Sequence, residues 1–182
     1  MDPFSLLSLP RRPFLDDEAI GSAYRRLAGA LHPDQAGGDA AAFRELGEAS
    51  AILCDPSRRL RELSGSLAGN QLPPQAADFF LKVASILHRS DSLTTQAATA
   101  STPLSKALLI APLKNLASDL QETLAQLREW HSSLDRELHQ LDRAWPESDP
   151  AALNLLADSF AYAGRWESQL RERELALEAL LS

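Results

Sequence analysis

Between residues 113 and 141 leucine returns at 113, 116, 120, 124, 127, 134, 138 and 141. Steps of three, four and seven place all of these side chains on one stripe of an α-helix. A strand, whose side chains alternate with period two, gathers them on no single face. A helix with such a stripe needs other helices to cover it. Pro112 stands just before the ladder, and a kink or break is expected there. Pro112, Pro146 and Gly164 interrupt the heptads, so the seam is read as intramolecular core rather than a dimeric coiled coil. Leu and Ala dominate the chain, β-branched residues are sparse and aromatics make up 6%. An all-α fold follows.

The remaining helices are marked by their caps and breakers. Asp2-Pro3 opens a short helix, "PFSLLSL", and prolines 10 and 13 keep the next stretch in a loop. Asp16 caps a helix in which Ile20, Ala23, Tyr24, Leu27 and Leu31 share a face. His32-Pro33 ends it, because a residue before proline is pushed out of the α region. "DQAGGD" is a loop, and Asp39 caps a third helix with Phe43, Leu46, Ala49 (or Ser50) and Leu53 inward. Pro56 opens a fourth short helix through Leu63. A linker is expected over 65–74, with Gly65, Gly69, Pro73 and Pro74. Beyond it, "QAADFFLKVASILHR" is helical. The Ser/Thr/Ala-rich segment 90–102 is expected to be a loop. Pro103 restarts a long helix, and Asp149-Pro150 caps the last one. The expected domains are thus 1–64, a linker 65–74, and a three-helix bundle over 75–182.

The 182 residues carry a net charge of −7, so nonspecific nucleic-acid or anionic-membrane binding is not expected. Residues 1–64 hold 8 Lys and Arg against 10 Asp and Glu, so neither half is basic. The single Cys54 excludes an internal disulfide and a Cys-rich metal site. It is expected on an apolar helix face as a small hydrophobe. No apolar run approaches the roughly 18 residues of a bilayer span. The first residues lack the basic n-region of a signal peptide, so a cytoplasmic location is expected.

His32-Pro33-Asp34 is the one constellation that invites a functional reading. As a general base, His32 lacks a positioned partner; Asp34 follows across a proline and no nucleophile is paired with it. As metal ligands the two are insufficient, and His88, His131 and His139 lie in other elements without a ligand spacing. No catalytic residue, metal site or cofactor is expected.

The residues around the triplet narrow the choice. Phe4, Leu6 and Leu7 of the first helix, "AYRRLAGALHPD", and "FRELGEASAILCDPSRR" occur in the order of a J-domain. The stretch 2–63 resembles that module of the DnaJ-type co-chaperones. The resemblance implies a helical hairpin whose loop carries His32, Pro33 and Asp34 to a heat-shock-70 ATPase of the DnaK or HscA type. It implies that Asp34 engages an arginine of that partner and that Arg25 and Arg26, beside Tyr24, meet its acidic face. Such rim charges mainly set on-rate and salt dependence. Gly21, Ser22, Ala30 and Gln35 stand where many relatives are basic, Gly47 replaces another basic residue, and Ser50 replaces a common Tyr. Weaker electrostatic docking is implied.

The chain has neither a Gly/Phe-rich segment nor CxxCxGxG repeats. The order of J-domain, linker and three-helix bundle is similar to the HscB co-chaperones of iron–sulfur cluster assembly. "FSLLSLPRRPFLD", "RRLRELSG", "FFLK" and "YAGRWESQLRERE" carry that similarity. It implies stimulation of the partner's ATP hydrolysis and delivery of a client, the iron–sulfur scaffold in that family. Phe79, Phe80, Phe160, Tyr162 and Trp166 are either a client-facing patch or bundle core, since both require apolar residues at helical spacing. The rival reading is a helical adaptor whose J-like domain docks a partner without activating it.

Overall fold

The computed structural model describes residues 2–32, 34, 38–65 and 72–181. Among them are seven helices and no strand: α1 (Pro3–Leu7), α2 (Asp17–Leu31), α3 (Ala40–Cys54), α4 (Pro56–Ser64), α5 (Pro74–Thr99), α6 (Pro103–Ala144) and α7 (Pro150–Leu181). Most of the linker expected over 65–74, residues 66–71, lies outside the described residues. The chain divides into two compact units. The first holds Met1–Gln71 with Leu134–Phe160, and the second Leu72–Ser133 with Ala161–Ser182.

In the first unit each helix is started by an aspartate, which accepts amide protons that have no partner within the helix. Asp2 accepts from the Ser5 amide at 3.0 Å and Asp16 from that of Glu18 at 3.2 Å. Asp39 accepts from Ala41 at 2.9 Å, and Asp55 from Ser57 at 2.8 Å. Asp55 also ends α3, so the chain turns from α3 into α4 at one residue. Gly65 closes α4 at φ 68°, a left-handed value that an L side chain rarely adopts. Helices α2 and α3 pack against each other, with α1 against α3. Phe4, Leu7, Ile20, Leu46, Leu53 and Leu60 are fully buried. Each such side chain contributes about 1.5–3 kcal/mol.

A charged residue fastens this unit from within. Arg59 is only 2% exposed. Its Nε donates to the Pro13 carbonyl at 2.8 Å, and a second guanidinium nitrogen donates to the Leu53 carbonyl. Burial pushes its pKa down from the ordinary arginine value. The guanidinium ties the loop before α2 to the C-terminal end of α3, satisfying two carbonyls at once. Arg12 pairs with Asp142 of α6, Nε to Oδ1 at 2.9 Å, and the Phe14 amide reaches the same oxygen at 3.0 Å. The Phe14 ring lies 4.2 Å from that of His139. Arg61 meets the buried Asp158 of α7 at 2.9 Å. The N-terminal helices are thus joined to residues far along the chain.

In the second unit α5 and α6 run antiparallel. Lys82 meets Gln126 at 3.1 Å and Arg89 meets Asp119 at 2.6 Å, so numbering rises on one helix as it falls on the other. Leu113, Leu116, Leu120, Leu124 and Leu127 of the ladder are buried here; Leu134 and Leu138 are buried in the first unit. Pro112 does not break α6, which continues through it with the proline exposed to solvent.

Two expectations are corrected. The segment 90–102 is not a loop, because α5 continues to Thr99. Its inward side carries Ser90, Leu93 and Ala97, with Ser90 buried, and its Ser/Thr hydroxyls turn back on the helix. The Thr95 hydroxyl donates to the Asp91 carbonyl at 2.8 Å. Arg173 of α7 holds Asp91 at 3.0 Å. Cys54 is exposed, not on the apolar face. Leu46, Ala49 and Leu53 fill the buried stripe of α3, and Cys54 lies one residue, about 100°, round from it.

Candidate chaperone-docking site

The loop between α2 and α3 is built from its base. His32 leaves the helix at ψ 130°, the extended value demanded before proline. Seven residues later the Asp39 amide donates to the Leu31 carbonyl at 3.2 Å, closing the loop where α3 starts. Pro33, Gln35, Ala36 and Gly37 lie outside the described residues. The His32 ring stands edge-on to Phe43 of α3, 5.3 Å between centroids at 76°. This contact fixes the start of the loop against the opposite helix.

The Asp34 amide donates to His32 Nδ1 at 3.2 Å. Nδ1 therefore acts as acceptor, and the ring proton belongs on Nε2. The Asp34 carboxylate lies 3.6 Å from the same nitrogen, but that is an ion pair only for a protonated ring, which would give up the amide bond. In the neutral form the carboxylate is left to solvent, with its side chain 86% exposed. Arg25 and Arg26 are exposed on α2, Tyr24 is half-buried, and Arg25 bonds the Ser22 hydroxyl at 3.1 Å. The site therefore offers one free carboxylate at a loop tip and two cations on the helix leading to it. Among the described residues no group of three or more His, Cys, Asp or Glu could hold a metal ion.

The aromatic residues named from sequence separate into different environments. The Phe79 ring stacks on Trp130 at 5.3 Å and 13°. Trp166 lies 6.3 Å from both Phe79 and Trp130, and Tyr162 lies 5.3 Å from Trp166. These four form one cluster of the second unit. Phe160 belongs to the first unit and is 4% exposed, and Trp166 is 6% exposed. Their burial makes both core, not surface that a client can touch. Phe80 is 54% exposed, with Leu81 beside it at 75%. Sequence reading missed Trp130 and Leu81, and named Phe43 only as a packing residue of the hairpin. The run "FFL" did hold a signal, because three consecutive residues turn through 200° and cannot all face one core.

A capped hairpin with His32 and Asp34 in its connecting loop is similar to a J-domain. Residues 2–61 match the family described as DnaJ domain, and the chain carries that domain at its N-terminus. The chaperone protein DnaJ of Hyphomonas neptunium is 49% identical over 61 residues, 32% of this chain and 15% of that protein. That of Deinococcus proteolyticus is 44% identical over 61 residues, covering 32% and 19%. The chain thus spans less than a fifth of either relative. The fold is similar to that of the chaperone HscB from Vibrio cholerae, with TM-score 0.57 and 19% identity, covering 97% of this chain and 99% of that one. No helix among the described residues is long and apolar enough to cross a membrane.

Proposed function

We propose that the chain is a co-chaperone that docks on a heat-shock-70 ATPase of the DnaK or HscA type, stimulates its ATP hydrolysis and delivers a client. The observation that carries this is the solvated Asp34 carboxylate on a loop whose base and flank are fixed by Asp39 and Phe43. A carboxylate held ready for an arginine makes a charge-assisted bond with little ordering left to do. His32 sets the path of the backbone into Asp34, and Pro33, by its locked φ, stiffens it. Arg25 and Arg26 steer the approach, and two cations give a shallower salt dependence than a longer basic stripe would. The J-domain takes residues 1–64 with the linker at 65–74, and the helical bundle 75–182 selects the client.

The client side of this reading places Phe80 and Leu81 at the contact, with Phe79 and Tyr162 supporting them from the aromatic cluster. Iron–sulfur scaffold delivery is the specialisation favoured by the HscB-type resemblance and by the shared fold.

Single-turnover ATP hydrolysis by a DnaK- or HscA-type chaperone tests the docking. The wild-type chain is expected to accelerate it, and Asp34→Asn and His32→Gln to lose that acceleration. Asp34 is exposed, so its substitution should change stability by no more than about 0.5 kcal/mol. Acceleration that survives Asp34→Asn would overturn the assignment. Binding without acceleration by the wild type would favour a helical adaptor.

A further inference from the structure

The end of the second unit farthest in sequence from the aromatic cluster carries a groove that the docking and client readings do not use. It encloses about 680 Å³ where the end of α5, the start of α6 and the end of α7 converge. Leu109, Ile110 and Leu180 line it, and Ala97 lies on its α5 side. Leu104, Leu108 and Ile110 are exposed. The first turns of α6 are thus apolar on nearly every side, a pattern that belongs to a covered helix.

The charges on its rim indicate what covers it. Lys106 and Lys114 both line the groove. The chain has three lysines in all, and residues 92–118 contain no Asp, Glu or Arg. Neither lysine makes an ion pair among the described residues. Glu178 adjoins the α7 wall in sequence but does not line the groove. In a protein of net charge −7 this is a local cationic rim around an apolar trough. A second copy of the chain would bring lysines against lysines. A concave trough also suits an inserted segment better than a flat lipid surface.

We infer that this groove binds a short amphipathic segment of a partner protein, with Leu- or Ile-type side chains on one side and carboxylates flanking them. Eight helical residues separate Lys106 from Lys114, so the two carboxylates it prefers are about 12 Å apart. Apolar insertion supplies affinity, and the lysine pair selects acidic over basic sequences. The partner contact is distinct from the Asp34 loop and from Phe80.

The test is selection of a random peptide library on the full-length chain, with binders compared on Lys106→Glu/Lys114→Glu and on Asp34→Asn. Both lysines are exposed, so the double variant retains the fold, which its melting curve verifies. Peptides combining Leu or Ile with Asp or Glu are expected to be enriched. They should bind about tenfold or more weakly to the double variant and equally to Asp34→Asn. Three outcomes would overturn the inference: enriched peptides without acidic residues, acidic peptides indifferent to the charge reversal, or loss in Ile110→Asp of a self-association that the wild type shows. Sedimentation of the wild type but not the double variant with phosphatidylglycerol vesicles, in the absence of any peptide selection, would assign the groove to a membrane surface instead.

Discussion

His32 and Asp34 show how a side chain acquires a role from its immediate surroundings. The imidazole accepts the Asp34 amide and rests on Phe43, which leaves the carboxylate outward. Arg59 is the opposite case, a charge turned inward to bind carbonyls. Arg59→Met keeps much of the volume but leaves two buried acceptors unpaired. It is expected to lower unfolding free energy by about 2–4 kcal/mol in urea titration. Asp142 supplies a pH response. Burial by itself would raise its pKa, but the hydrogen bonds from Arg12 and the Phe14 amide, with the charges of Arg12 and His139, outweigh it and hold the carboxyl below 3.8. A carboxyl whose pKa is depressed on folding stabilises the fold fully above its unfolded pKa, and that contribution is lost as pH falls through the folded value. Acid titration of stability should therefore show a component below about pH 4. Asp142→Asn should remove it, and a variant with unchanged acid sensitivity would contradict the pairing. The triplet was legible from its letters, and so was Asp39 as a cap. The roles of Arg59 and Asp142 were not, because their partners lie 46 and 130 residues away.

At the scale of the element, caps and periodicity located α1 to α4, α6 and α7 closely, since a helix end is decided by a few adjacent residues. Residues 90–99 went the other way. Ser, Thr and Ala without charge have no strong local preference, and the stretch was read as a loop. In the structure it is helical because the hydroxyls satisfy themselves on the helix backbone and Arg173 secures Asp91. Thr94 is exposed in this stretch, so Thr94→Pro tests backbone alone. A proline there should cost about 3 kcal/mol and lower helicity by circular dichroism. A loop would accept it with little change. Phe79 and Phe80 divide for a similar geometric reason: neighbours on a helix point 100° apart, and only the packed helices decide which is covered.

For the whole molecule, the first unit includes residues 134–160, so the N-terminal helices are completed by a distant part of the chain. Arg12 with Asp142, Arg61 with Asp158, and Phe14 with His139 are the joints. A fragment of residues 1–71 should fold into the hairpin yet melt lower than the same region in the full chain. A loss of about 2 kcal/mol or more is expected by denaturant titration followed by tryptophan-free probes such as amide exchange. Equal protection in both would show that these joints contribute nothing.

The sequence by itself determined the class of fold, the helix boundaries set by prolines and aspartates, and the triplet at the hairpin tip. These depend on residues within one or two turns of one another. The tertiary structure alone decided that Arg59 points inward, that Phe160 and Trp166 are covered while Phe80 is not, that residues 90–99 stay helical, and that two lysines border an apolar groove. Each of those outcomes depends on which surfaces meet in space, and burial is a property of the assembled helices rather than of any one of them.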